Sequence, residues 1–495
     1  MHHDAPGRLP NDALTRDATP LRTKLLIAML AILMVAIALC VNRALNGDLY
    51  LLLFSGRYIA HHGPVGYDPF PTIQAGQSWL NQQWLSEVGF YGAERVVGTT
   101  GITVLYALLI GLPLALVLGA IRRKGPVLMI IVAALYLPGI LAIIHPRAAG
   151  FTLLLFSVLL IVILAAWRLD SRRAEGTTRA PLWALAVIPG LFVLWANLHG
   201  GFIAGLLLVG LVTAGLAIDR WRGLGRPVPA IVVLGVAGVL GAIAVTFATP
   251  LGADIWSYIL SFRNPALKLA STEWEPVTHS VPAMAYLVAG AALAVWTWRN
   301  VPRPRRVMPV LVAAGFLVFA ASSMRNLIFV APALALQIAC SAPDRLAAPS
   351  RIVVGLAASA VAGALIVYAA ILGPPNPDRV GNPAVQYAIQ HPPERGRIVA
   401  YAGPSSYMLW RAPETPVVIN GWLEHFTAAE LRANFGILHG SKPDPTPYVK
   451  RLHAGAVIAY LPEAIERLEA HGFVAKFSGP NGTYLVRKDT ARGGA

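Results

Sequence analysis

The sequence predicts a mainly α, polytopic helical membrane protein that ends in a small α/β domain. Three observations carry this. Of the 495 residues, 56% are hydrophobic and only 13% charged, about half the charged share of an ordinary soluble domain. Apolar stretches of about 20 residues recur along the chain, the length that crosses a bilayer as a helix. After Gly373 the texture changes to short apolar runs separated by turn residues. The same composition excludes disorder, which needs low hydrophobicity and high charge. Cys40 and Cys340 both lie in apolar runs, which excludes a disulfide scaffold or a Cys-based zinc site.

Taken in order, spans are expected at 25–44, 102–121, 127–144, 149–167, 182–197, 200–218, 230–248, 282–298, 308–322, 326–341 and 351–373, about eleven in all. The connections test this count by charge. Arg122-Arg123-Lys124, Arg168 to Arg179, Arg220 to Arg226, Arg299 to Arg306 and Arg345 to Arg351 fall in alternate connections. The side that receives them also receives the N-terminus, with Arg22 and Lys24. Basic residues mark the cytoplasmic side, so residues 1–24 form a cytoplasmic tail and 25–373 a transmembrane domain. Much of the net charge of +16 is then topogenic, and nucleic acid need not be invoked. No small-residue cleavage site follows the first apolar run, so it reads as a retained helix and not as a cleaved signal.

The opposite, extracytoplasmic face carries a long first loop (about 45–100), a second loop (about 249–281) and a soluble tail, 374–495, of ordinary domain size. The breaker cluster Gly373-Pro374-Pro375-Asn376-Pro377 opens the tail as a linker. Beyond it, Arg397 to Tyr401, Pro416 to Ile419 and Ala456 to Tyr460 read as buried strands, and Glu463 to His471 as a helix. Phe473 to Arg487 reads as a hairpin turning at Asn481-Gly482. Alternating strands and helices make the tail a small α/β domain.

Uncharged spans do no acid–base chemistry, so the candidate residues are ionisable or polar groups at the extracytoplasmic rim. Asp48 follows the first span closely and suits a general base that takes a proton from a hydroxyl; its alternative is a helix N-cap on 49–60. Asp68, before Pro69, is a turn initiator or a direct participant. Trp84 fits an interfacial aromatic belt or a groove for an isoprenoid lipid. Glu87 either pairs with Arg57 or Arg95 or lines a pocket. Asn197 and His199, in the tight Asn-Leu-His-Gly-Gly connection between spans, are polar groups at bilayer depth and so functional candidates. Arg147 and Arg325 are cations at helix ends on the same face. They could clamp a lipid-linked phosphate through charge-assisted hydrogen bonds, or snorkel to headgroups. Glu273, beside Trp274 and Glu275, adds acid from the second loop. No phosphate-binding loop, H-E-x-x-H or G-x-S-x-G motif is present, which argues against an ATP-driven pump or a zinc protease. Carboxylates clustered for a divalent cation are sparse, so no essential metal and no cofactor is expected.

The order of these landmarks resembles the GT-C superfamily of integral-membrane glycosyltransferases, of the protein O-mannosyltransferase and aminoarabinose-transferase type, in a bacterial subgroup with a soluble C-terminal domain. The resemblance rests on Asp48, Ser55-Gly56-Arg57-Tyr58-Ile59, His62-Gly63, Asp68-Pro69-Phe70 and Trp79 with Trp84-Leu85-Ser86-Glu87. It continues through Leu194 to Phe202, Thr249-Pro250-Leu251-Gly252, Glu273-Trp274 and Arg325-Asn326. In the tail it takes in Tyr401-Ala402-Gly403, Tyr407 to Trp410 and Val418-Ile419-Asn420-Gly421. The resemblance implies a polyprenyl-phosphate-sugar donor, a lipid, glycan or protein acceptor, Asp48 as catalytic base and an inverting displacement. It makes Arg147, His199 and Arg325 candidates for the lipid phosphate, in a bacterial inner-membrane protein. This chain differs from the subgroup at Leu49-Tyr50-Leu51-Leu52, where an aromatic pair and a His are usual. It differs again at Gln82-Gln83 in place of His-Glu, and at Asn420 in place of an acid. The alternatives are a flippase or transporter for a lipid-linked saccharide, and a non-catalytic partner in envelope polysaccharide assembly.

Overall fold

Inside a bilayer a backbone must satisfy its own N–H and C=O groups, and long apolar runs do so as helices. The computed structural model describes residues 18–44, 46–173, 182–224, 228–261, 272–300, 306–342, 351–372, 380–441 and 443–488. Each expected span coincides with an apolar helix: α1 (Ala18–Arg43), then, after α2 (Gly47–His62) and α3 (Trp84–Val97), α4 (Thr99–Ile121), α5 (Pro126–Ala142) and α6 (Ala149–Arg173). Next come α7 (Ala184–Leu198), α8 (Phe202–Trp221), α9 (Val228–Ala248) and, after the short α10 (Asp254–Ser261), α11 (Val281–Arg299). The last three are α12 (Met308–Ala321), α13 (Val330–Ser341) and α14 (Arg351–Leu372). A 3₁₀ turn, Met324–Phe329, leads into α13.

Among the described residues, 6 helices are long and apolar enough to cross a membrane, or 7 if α1 and the sharply bent α2 count as one broken span. Four more are apolar but shorter. The segment from Phe262 to Lys268, the Gly373–Pro377 cluster and the first 17 residues lie outside the described residues.

Aromatic side chains fill the bundle. Phe156 meets Phe316 and Phe329 at ring-centroid distances of 5.1 and 4.9 Å. Where helices approach closely the chain uses glycine: a Cβ on Gly215 would lie 2.4 Å from the Met308 Cα. An acid buried in α8 has a structural explanation. Asp219 accepts from the backbone N–H groups of Val307 and Met308, at the start of α12, where carboxylates are stabilised. On the outer face of α9, Val232, Val236, Val239, Ile243 and Phe247 are exposed, as suits contact with lipid chains.

The tail contains α15 (Pro383–Gln390), β1 (Arg397–Val399), α16 (Ala402–Arg411), α17 (Ala428–Leu438), α18 (Thr446–Arg451), β2 (Ala454–Ala459), α19 (Pro462–Ala470), β3 (Phe473–Gly479) and β4 (Gly482–Arg487). The sheet order is β1-β2-β4-β3, with β1 parallel to β2 and the other pairs antiparallel. The hairpin turns at Pro480-Asn481, with Gly482 at φ 135°, a conformation open to glycine. The strand expected at 416–419 is a single parallel bridge, Ile398 to Val417. The reason lies in its other neighbour. Val417 N–H donates to the Pro71 carbonyl and Ile73 N–H to that of Val418, so this segment joins β1 to the first loop.

That join continues as an apolar layer. Leu51, Phe54, Phe70 and Trp79 pack with Val385, Met408, Val417 and Trp422 of the tail. Helix α16 lies on α2, and a Cβ on Gly47 would come within 2.2 Å of the Gly403 Cα. The tail is therefore seated on the helix whose first turn carries Asp48.

Candidate functional site

Asp48 stands in the first turn of α2. The cap of that helix is Asn46, whose Oδ1 accepts from the Asp48 N–H at 3.1 Å. Capping by Asn46 leaves the Asp48 carboxylate for other partners. Its partner is Arg147, in the connection between α5 and α6, with Nη2 2.9 Å from Asp48 Oδ2. The same guanidinium holds Glu273: Arg147 Nη1 donates to both of its carboxylate oxygens at 2.7 Å.

Glu273 belongs to the 3₁₀ turn Thr272–Trp274. This turn is tied to the start of the Met324–Phe329 turn, because Ser323 Oγ donates to the Glu273 carbonyl and Met324 N–H to that of Glu275. Arg325 follows, with its guanidinium 4.1 Å over the Trp274 ring and Nε 3.9 Å from Glu273 Oε2. Burial by itself would raise the Glu273 carboxyl, but the Arg147 and Arg325 charges outweigh it and hold the group below the usual carboxylate range. Two cations, Arg147 and Arg325, thus meet two carboxylates, Asp48 and Glu273, and an incoming anion would have to compete with those carboxylates for the guanidinium donors.

His199 completes this wall. Its Nδ1 accepts from the Gly201 N–H at 3.0 Å and lies 2.8 Å from Thr152 Oγ1. An acceptor at Nδ1 puts the ring proton on Nε2. Burial, reinforced by Arg325 and Arg147, pushes the pKa down to about 3. The ring is then neutral at physiological pH, with its N–H on Nε2. A Cβ on Gly201 would lie 2.4 Å from Thr152 Oγ1, so glycine there is what lets the connection fold so tightly.

Two cavities meet at this wall. Both are lined by Gln82, Arg147, His199, Glu273, Trp274 and Arg325. One, of about 240 Å³, runs inward among Ile143, Ile203, Phe319, Ile328 and Phe329 and is largely apolar. The other, of about 180 Å³, is markedly more polar and adds Asp48, Tyr258 and Glu424. Gln82 is buried, and its Oε1 has no hydrogen-bond partner. Among the described residues no group of three His, Cys, Asp or Glu side chains is arranged to hold a metal ion.

The structure therefore brings together Asp48, Arg147, His199, Glu273 and Arg325. The other five sequence candidates line neither cavity. Arg57 donates to the Leu409 carbonyl at 3.1 Å and stacks on Trp410 at 4.6 Å. Asp68 is 2% exposed and accepts from the Phe70 N–H and Thr72 Oγ1. Trp84 Nε1 donates to Asn197 Oδ1 at 2.8 Å, while Asn197 Nδ2 bonds the Val193 and Ala248 carbonyls. Glu87 takes Asn81 and Gln83 as partners and neither Arg57 nor Arg95. Burial drives its carboxyl well above the usual range.

Sequence reasoning did not select Glu424 or Tyr258. Tyr258 Oη donates to Glu424 Oε1 at 2.8 Å. Glu424 stands shortly after Asn420, where the resemblance expects an acid, and that offset was the available signal. Burial raises its carboxyl.

No protein-family model matches the chain, and no curated protein matches it in sequence. Among solved structures it resembles the crystal structure of ArnT from Cupriavidus metallidurans bound to undecaprenyl phosphate. The TM-score is 0.54 at 16% identity, over 94% of this chain and 98% of that one. The likeness establishes the fold, an ArnT-like polytopic membrane architecture with a small sheet-containing tail.

Proposed function

We propose that this membrane protein is a glycosyltransferase that moves a sugar from a polyprenyl phosphate to a lipid, glycan or protein acceptor. The observation that carries the reading is the position of Arg147, Arg325 and neutral His199 on the wall between an apolar and a polar cavity. Such a wall suits a phosphate whose isoprenoid enters the apolar side and whose sugar enters the polar side. Fold likeness to a protein whose crystal structure holds undecaprenyl phosphate agrees with it.

In this mechanism the phosphate takes over the guanidinium hydrogen bonds now made to Asp48 and Glu273. Asp48 then has its oxygens open to the acceptor hydroxyl. The acceptor oxygen bonds to the anomeric carbon from the side opposite the phosphate, and the carbon–oxygen bond to the phosphate breaks. The hydroxyl proton passes to Asp48, and the configuration inverts. Charge growing on the leaving phosphate is met by Arg147, Arg325 and the His199 Nε2–H, all held before the reaction begins. We place the site on the extracytoplasmic face of a bacterial inner membrane. The N-terminus is then cytoplasmic, residues 25–373 form the transmembrane domain, and residues 374–495 face outward.

The test is transfer in proteoliposomes supplied with undecaprenyl-phosphate sugars and membrane lipid extract. Asp48→Asn is expected to lower kcat by about 100-fold or more while donor binding persists, the usual size of a general-base contribution. A variant as active as the wild type would remove Asp48 from that role. Binding without turnover by the wild type would favour a lipid-saccharide carrier or an assembly partner.

A further inference from the structure

The polar cavity has a wall that comes from the tail, and it has a particular chemistry. Glu424 sits in the turn Leu423–His425, and both flanks of that turn are anchored to the first loop and α2. On one side, Trp422 Nε1 donates to Ser55 Oγ at 3.2 Å, and the Trp422 ring meets Trp79 edge to face at 5.1 Å. On the other, His425 Nε2 lies 3.5 Å from Asp68 Oδ2. Gly421 packs on Leu51 so closely that a Cβ would stand 3.0 Å from Leu51 Cδ2. Glu424 is thus presented by a braced turn, not by a free loop.

Opposite it, Tyr258 occupies one carboxyl oxygen, and the carboxyl retains capacity for a ligand. Gln82 adds the buried carbonyl oxygen without a partner, and an unpaired buried acceptor is costly until a donor arrives. On this side the cavity thereby offers acceptors, the Glu424 carboxyl and the Gln82 carbonyl oxygen, that a ligand's hydroxyl groups can satisfy.

We propose that Glu424, Tyr258 and Gln82 form a hydroxyl-recognition subsite, built jointly by the tail, α10 and the first loop, that grips the sugar of the lipid-linked donor. This rests on the glycosyl-transfer reading and extends it. The tail is part of the substrate site, and selection among monosaccharides resides there, while affinity for the carrier phosphate resides in Arg147 and Arg325. At about 180 Å³ the cavity has room for one sugar residue.

The experiment measures binding of undecaprenyl phosphate, and of a panel of undecaprenyl-phosphate pentoses and hexoses, to the full chain in nanodiscs. The wild type is expected to bind at least one sugar-bearing lipid more tightly than the bare carrier. Glu424→Ala should leave the bare carrier within about 3-fold and weaken the preferred sugar lipid about 10-fold or more, the scale of a lost hydrogen bond to a carboxyl group. Glu424→Gln should recover part of that loss, and Tyr258→Phe should lie between. Thermal unfolding of each variant checks the fold. A wild type that does not bind undecaprenyl phosphate overturns the functional reading and the subsite with it. A wild type that binds the carrier but prefers no sugar-bearing lipid overturns the subsite alone. So does a folded Glu424→Ala protein that keeps the wild-type preference or weakens both ligands equally.

Discussion

Arg147 holds two carboxylates at once, and its environment assigns them unequal strengths. The Arg147 side chain is 15% exposed, Asp48 49% and Glu273 34%. Asp48 makes one contact, at 2.9 Å, and half-exposed pairs of this kind contribute about 0.5 kcal/mol. Glu273 offers both oxygens to Nη1 at 2.7 Å from a less exposed position. Charge-assisted bonds so placed contribute about 1.5–2 kcal/mol. Two double-mutant cycles isolate these terms, pairing Arg147→Gln with Asp48→Asn and with Glu273→Gln. The neutral near-isosteres keep the packing and remove the charge. Unfolding in mixed detergent micelles should give a coupling for Glu273 about three times that for Asp48. Raising the salt to about 0.5 M should shrink the Asp48 coupling proportionally more, because exposed charges are screened first. A coupling to Asp48 equal to or larger than that to Glu273 would refute the reasoning, since both distance and exposure rank them the other way.

Two further predictions concern the fold around the site. His199 has its pKa lowered to about 3 by burial, whereas in an unfolded chain it lies near 6.5. Between these values the unfolded state binds a proton that the folded state refuses, so stability falls as pH drops from about 6.5 toward 3. With the linkage limit halved for contact with the cavity, the loss is about 2 kcal/mol. Stability against pH for His199→Gln should lack that slope, and an unchanged slope would assign it to other groups. Gly47→Ala places a methyl 2.2 Å from the Gly403 backbone, whereas the reciprocal Gly403→Ala meets its nearest atom at 3.3 Å. The first should cost about 1–3 kcal/mol through overpacking and the second far less, as read by thermal unfolding. Equal effects would mean the two helices do not touch there.

How far the site could be read beforehand depends on what each residue's neighbours are. Arg147, His199 and Arg325 each stand at the end of an apolar helix, and a cation or polar group there is conspicuous against the hydrocarbon around it. Their convergence could be inferred because all three fall at the same end of their spans. Asp68 was equally conspicuous but is consumed locally, by the Phe70 N–H, Thr72 and His425. Glu87 is consumed by Asn81 and Gln83. Nothing in a linear string distinguishes an acid that faces a cavity from one that fills a turn.

The sequence by itself determined the class of fold, the helical spans and, apart from 416–419, the strands of the tail. Those follow from periodicity, apolar run length and turn chemistry, which act between near neighbours in the chain. Only the tertiary structure decided that Pro416 to Ile419 would bridge to the first loop, that Asn46 would cap α2 and so release Asp48 to Arg147, and that Glu424 would reach the polar cavity beside Tyr258. Each of the long-range decisions joins groups that are remote in sequence, such as Tyr258 and Glu424 or Trp422 and Ser55. Their meeting is set by the packing of α16 against α2 and of the tail against the first loop. Such contacts depend on the shapes of two complete surfaces, and no local pattern encodes them.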